Sequence, residues 1–128
     1  MSAKRPCDVL VIDDSDISRE SMLRLLADAG FEAVGLPSPI GATVAVIRHE
    51  VRLVVIDIHM PTMRGDALAK LFRKNPRLDG LKLILTSGTA PECLDVLADE
   101  VSADGIVAKA ERGKLVSEVR RLIGTPRE

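Results

Sequence analysis

Apolar residues in this chain follow two rhythms. The first is the short unbroken run, seen at Val9-Leu10-Val11-Ile12 and at Leu53-Val54-Val55-Ile56, with Leu81 to Thr86 also reading as a strand. Weaker versions lie from Glu32 to Leu36 and at Gly105-Ile106-Val107-Ala108. Runs of this length, rich in β-branched residues, fit strands covered on both faces. The second rhythm is the three-to-four spacing of an amphipathic helix. It appears at Met22, Leu25, Leu26 and Ala29, and again at Ile40, Val44, Ile47 and Val51. Leu68, Leu71 and Phe72 repeat it, as do Leu94, Leu97, Ala98 and Val101. Leu115, Val116, Val119, Leu122 and Ile123 close the series. Each set predicts the inner face of one helix. Ser15 is placed to cap the first helix and Gly30 to stop it. Pro37-Ser38-Pro39, Asn75-Pro76 and Asp79-Gly80 read as turns.

Five strand signals thus alternate with five helix signals through short connections. That alternation predicts an α/β fold, a doubly wound five-stranded parallel sheet with helices on both faces. No repeat, linker or low-complexity stretch interrupts it. A single domain over residues 1–128 is expected, with its core from about residue 7 to residue 123 and no output domain.

Composition changes this picture little. Of 128 residues, 46% are hydrophobic and 29% charged, and the net charge is −1, so no general attraction to nucleic acid or membrane is expected. No apolar run is long enough to span a bilayer, and the expected location is cytoplasmic. Cys7 and Cys93 lack metal-type spacing and read as reduced thiols with a structural role. The only aromatics, Phe31 and Phe72, offer no platform for stacking bases.

The chemistry lies where the runs end. The first runs into Asp13-Asp14, the central one into Asp57, the fourth into Ser87 and the fifth into Lys109. Strands that run parallel bring these ends to one edge, where open α/β sheets bind ligands. Singly, each residue has a plain alternative: a turn former, a helix cap, a solvated lysine. Together they converge. Carboxylates a few ångströms apart repel by about 4 kcal/mol per pair at surface-like screening. A hard divalent cation such as Mg²⁺ relieves that repulsion and retains positions for phosphate oxygens. One carboxylate could then act as a nucleophile toward phosphorus, with Lys109 and the Ser87 hydroxyl neutralising the transferred group.

On the residues Val11-Ile12-Asp13-Asp14, on Asp57 followed by Met60-Pro61 and Gly65, on Ser87-Gly88, and on Ala103-Asp104-Gly105 leading to Lys109, the whole chain resembles the receiver domain of two-component response regulators, in its single-domain CheY-like form. Ser87 and Lys109 lie thirty and fifty-two residues after Asp57, as in that family. The resemblance implies a sheet in the order 2-1-3-4-5. It implies that Asp57 accepts a phosphoryl group from a sensor histidine kinase or a histidine phosphotransfer protein. It also implies that Asp14, Asp57 and the His59 backbone carbonyl ligate Mg²⁺, with Asp13 acting through water. Ser87 and Lys109 would hold the phosphoryl oxygens, and the domain would hydrolyse its own acyl phosphate. A downstream protein would read the face of the fourth helix, fifth strand and fifth helix, which includes Glu111, Arg112, Lys114 and Arg120.

Two positions depart from the family. Ala110 stands where proline usually follows the lysine, so a trans bond is expected there. Ile106 replaces the usual aromatic switch residue of the fifth strand. His59 either flanks the phosphoryl group or is an exposed loop imidazole whose backbone alone matters; His49 reads as a surface residue. Three other readings compete. A haloacid-dehalogenase-type phosphatase would need a second aspartate where His59 stands. A flavodoxin-like cofactor binder would need a phosphate cradle where Asp13-Asp14 repel phosphate. A phosphorylation-independent adaptor would draw on the two departures.

Overall fold

The computed structural model describes residues 6–88 and 91–127. Its elements alternate as the two rhythms predict. They run β1 (Val9–Ile12), α1 (Asp16–Asp28), β2 (Ala33–Leu36), α2 (Ala42–Arg48), β3 (Leu53–Asp57), α3 (Gly65–Lys74), β4 (Lys82–Ser87), α4 (Pro91–Glu100), β5 (Gly105–Ala108) and α5 (Leu115–Ile123). Short 3-10 turns at Pro76–Leu78 and Lys109–Lys114 complete the path. All strand pairs are parallel, and the order is β2-β1-β3-β4-β5. Among the described residues no helix is long and apolar enough to cross a membrane.

Alternation along the strands builds two cores. Leu10, Ile12, Val54, Ile56, Leu83 and Leu85 face one side, against Val46, Phe72, Leu94 and Ala98 of α2, α3 and α4. Val9, Val11, Leu53, Val55, Ile84 and Val107 face the other, against Met22 and Leu26 of α1 and Leu115 and Val119 of α5. The three central strands are thus covered on both faces, which is why β1 and the first four residues of β3 read as unbroken apolar runs and β4 is apolar from Leu83 to Leu85. Strand β2 is half-buried and pairs only with β1, the edge position its weaker run implies.

The start of α1 follows local chemistry. Ser15 caps it, accepting a hydrogen bond from the Ser18 N–H at 3.2 Å, and Gly30 follows its end at φ +93°. Two predicted helix faces are corrected. Ile40 and Val44 are exposed at 74% and 59%, while Ala42 and Val46 turn inward. The chain enters α2 through Gly41 at φ +81°, and this starting point sets the phase of a helix only seven residues long. In α3, Leu71 is half-exposed, and Ala69 takes an inner position beside Leu68 and Phe72. Cys7 is buried and Cys93 exposed; both are free thiols, so a packing role fits Cys7 alone.

Candidate functional site

Parallel strands in register bring their C-terminal ends to one level. Ile12 pairs with Ile56, Asp57 with Thr86, and Ser87 with Ala108. The next residue after β1 is therefore Asp13, after β5 it is Lys109, and Asp57 and Ser87 are the last residues of their own strands. Asp13, Asp57 and Ser87 are buried, and Asp14 is exposed above them. One carboxylate oxygen from each of Asp13, Asp14 and Asp57 lies within 4.8 Å of the others.

Lys109 closes this cluster. Its Nζ stands 3.2 Å from Asp57 Oδ2 and 3.2 Å from Asp13 Oδ2. The other oxygens are held by backbone: the Ser15 N–H donates to Asp13 Oδ1 at 2.9 Å, and the His59 N–H donates to Asp57 Oδ1 at 3.2 Å. The loop after β3 is anchored from below, with Ile58 N–H donating to Thr86 O and Gly65 N–H to Ile58 O. Gly65 is required at its place, because a Cβ there would stand 2.2 Å from the Asp57 carbonyl oxygen.

The electrostatics follow from burial. Desolvation pushes the Asp57 carboxyl up to about 6, and the negative charge of Asp13 adds to it. Lys109 and the His59 N–H pull the other way without cancelling the shift. For Lys109, burial alone would favour the neutral amine, but Asp57 and Asp13 together outweigh it and raise its pKa.

The donor set fits a hard divalent cation. Three carboxylates face one ammonium, leaving two formal negative charges. Among the described residues, the buried Asp13 Oδ2 accepts no hydrogen bond; Lys109 is within ion-pair distance of it but is not aligned to donate. Carboxylate oxygens this close together repel one another, and a hard divalent cation with oxygen ligands would relieve that repulsion.

The edge brings together Asp13, Asp14, Asp57, Ser87 and Lys109. The His59 side chain is exposed, and its contribution on view is the backbone N–H. Ala110 is exposed, every described peptide bond is trans, and Ile106 packs against the core on the α2–α4 side. On the α4-β5-α5 face, Glu111 and Lys114 form an exposed ion pair at 2.9 Å, Arg120 is exposed and Arg112 is half-buried.

Sequence reasoning missed two residues that frame these strands. Arg19 reaches the main chain of Asp13. Asp8, fully buried at the opposite end of β1, accepts from the Glu32 and Arg127 N–H groups and pairs with Arg52 at 3.0 Å. The sequence signal for Arg19 is its three-residue spacing from Asp16 on one helix face. For Asp8, the one signal is an acid abutting an apolar run.

Comparison with known proteins agrees with this arrangement. The family model described as response regulator receiver domain matches residues 9–120. A protein-glutamate methylesterase/protein-glutamine glutaminase from Anaeromyxobacter dehalogenans is 34% identical over 88% of this chain and 31% of its own length. One from Rhodospirillum rubrum is 37% identical over 64% of this chain and 21% of its own. The chain thus spans less than half the length of these curated relatives. Among solved structures, a putative response regulator from Chloroflexus aurantiacus has a TM-score of 0.84 at 24% identity, covering 92% of this chain and 98% of that one. Vibrio cholerae chemotaxis protein CheY4 has a TM-score of 0.81 at 23% identity, covering 92% and 99%. At those identities they speak for the fold.

Proposed function

The chain belongs to the response regulator receiver domain family, and on that premise we propose that Asp57 is its phosphoryl acceptor. The donor is a phosphohistidine on a sensor histidine kinase or a histidine phosphotransfer protein. The observation that carries the reading is the position of the Asp57 carboxylate, at a strand end, in contact with the Lys109 ammonium and clustered with the Asp13 and Asp14 carboxylates.

In this reading an Asp57 oxygen attacks phosphorus, the bond from phosphorus to the donor imidazole nitrogen breaks, and the electron pair leaves with the imidazole. Asp14 and Asp57, with the His59 backbone carbonyl, would hold Mg²⁺ directly, and Asp13 would act mostly through water. The bound ion supplies charge neutralisation at the phosphoryl oxygens. The Lys109 ammonium, which spans Asp57 and Asp13, re-pairs with a phosphoryl oxygen and keeps its proton, and the Ser87 hydroxyl donates to another oxygen. Water later hydrolyses the acyl phosphate. The signal leaves by contact, through the α4-β5-α5 face to a downstream protein in the cytoplasm. The methylesterase activity named for the relatives stays with those longer proteins.

Intact-mass spectrometry after incubation with acetyl phosphate tests this. The expected result is a Mg²⁺-dependent gain of one phosphoryl group that Asp57→Asn abolishes. An adduct that persists in the variant removes Asp57 from the role. The absence of any adduct favours a phosphorylation-independent adaptor, the reading that Ile106 and Ala110 support.

A further inference from the structure

The acidic pair at the end of β1 is set by a residue outside the cluster. Arg19 lies on the second turn of α1. Its Nη1 donates to the main-chain carbonyl of Asp13 at 2.8 Å, and its Nη2 donates to Asp16 Oδ1 on the turn below. Its stem lies across β2: a Cβ on Gly35 would come within 2.9 Å of Arg19 Cδ and 3.1 Å of its Cγ. The side chain is only 14% exposed. A guanidinium can meet two acceptors at once in a fixed plane, which an ammonium cannot do.

The bonded carbonyl belongs to the peptide that joins Asp13 to Asp14. The N–H of Asp13 is tied to Leu36 O at 3.1 Å, and its carboxylate to the Ser15 N–H and Lys109. With the carbonyl fixed by Arg19, the plane of the 13–14 peptide is set from both sides. Asp14 is exposed, so the direction of its carboxylate follows from the backbone that carries it. We propose that Arg19 is a positioning residue for the divalent-cation site, orienting the Asp13–Asp14 peptide so that the Asp14 carboxylate meets those of Asp13 and Asp57. The inference rests on the cation reading given above. Gly35 adjoins the device: a Cβ there would crowd both the arginine stem and Leu23 Cδ1, each at 2.9 Å.

Mn²⁺ binding to the metal-free full chain, followed by the electron paramagnetic resonance of free Mn²⁺, tests the proposal without any phosphoryl transfer. Wild type must bind and Asp14→Asn must bind more weakly; if either fails, the cation reading itself falls. Given both, Arg19→Met keeps the stem over Gly35 and removes both hydrogen bonds. It is expected to weaken Mn²⁺ binding about tenfold, as loss of an outer-shell partner does. In the Asp14→Asn background the same change is expected to add almost nothing, because Arg19 acts through Asp14. An unchanged affinity, or a loss that simply adds in the double variant, overturns the proposal. Should Arg19→Met fail to fold, Gly35→Ala carries the test: it keeps the arginine but crowds the stem that aims its guanidinium at the Asp13 carbonyl. Weaker binding supports the proposal, and wild-type affinity overturns it.

Discussion

Replacing Asp57 by asparagine removes a charge that the metal-free fold accommodates poorly. Burial holds the carboxyl at about 6, against 3.8 for the free group. That difference corresponds to about 3 kcal/mol between its protonated and ionised forms. Between 3.8 and 6 the native chain binds more protons at this site than the unfolded chain, so the contribution to stability falls as pH rises through that window. Above it the loss is complete. Asparagine is neutral throughout and can still accept from the His59 N–H, while Lys109 keeps Asp13 as its partner. In EDTA at pH 7.5, Asp57→Asn is therefore expected to be more stable than wild type by about 3 kcal/mol, or roughly 10 °C in thermal midpoint. The gap should narrow to about half at pH 5 and close below pH 4. The chain has no tryptophan or tyrosine, so urea unfolding followed by far-UV circular dichroism is the suitable assay. A variant no more stable than wild type at pH 7.5, or a gap that does not change with pH, would refute the claim that buried charge at Asp57 strains the fold.

Three further outcomes follow from the packing. Gly65→Ala places a methyl group against main-chain atoms that cannot yield, and a loss of about 3 kcal/mol in urea unfolding is expected, together with slower labelling by acetyl phosphate. Asp8→Ala strands Arg52 and two backbone N–H groups, and should cost about 3 kcal/mol while leaving acetyl phosphate labelling intact, since Asp8 lies at the far end of β1. Val44→Lys should change the urea midpoint by less than about 0.5 kcal/mol in free-energy terms, whereas Val46→Ala should lose about 1–3 kcal/mol; the reverse ranking would return the inner face of α2 to Val44.

The strands and the site were legible in the sequence for one reason. A parallel strand buried on both faces is apolar along most of its length, so the polar residues that end each run mark the functional edge. Asp13, Asp57, Ser87 and Lys109 could be located without knowing how any helix packs. The face of α2 could not. Ile40, Val44, Ile47 and Val51 have helical spacing, but the helix begins only at Ala42, after Gly41 turns left-handed, and Ala42 and Val46 are its buried residues. Leu71 misleads in the same way beside Ala69. Arg19 and Asp8 were invisible for another reason. Arg19 acts on a main-chain carbonyl, which has no letter in the sequence. The partners of Asp8 lie 24, 44 and 119 residues away, distances at which neither rhythm carries information.

That last contact brings the two ends of the fold side by side. The Arg127 N–H meets Asp8 at 3.1 Å, and its guanidinium reaches the Cys7 and Glu50 carbonyls. Arg52 reaches the Ile123 and Thr125 carbonyls from the same edge. A few glycines would therefore join residue 127 to residue 7, and the chain could be reopened at the exposed turn Asp79-Gly80, where added atoms meet open space. Such a circular permutant keeps every strand and every edge residue in place while changing the order in which they are synthesised. The seam lies at the N-terminal edge of the sheet, opposite Asp57, so a reporter inserted there could be carried without obstructing the acidic cluster.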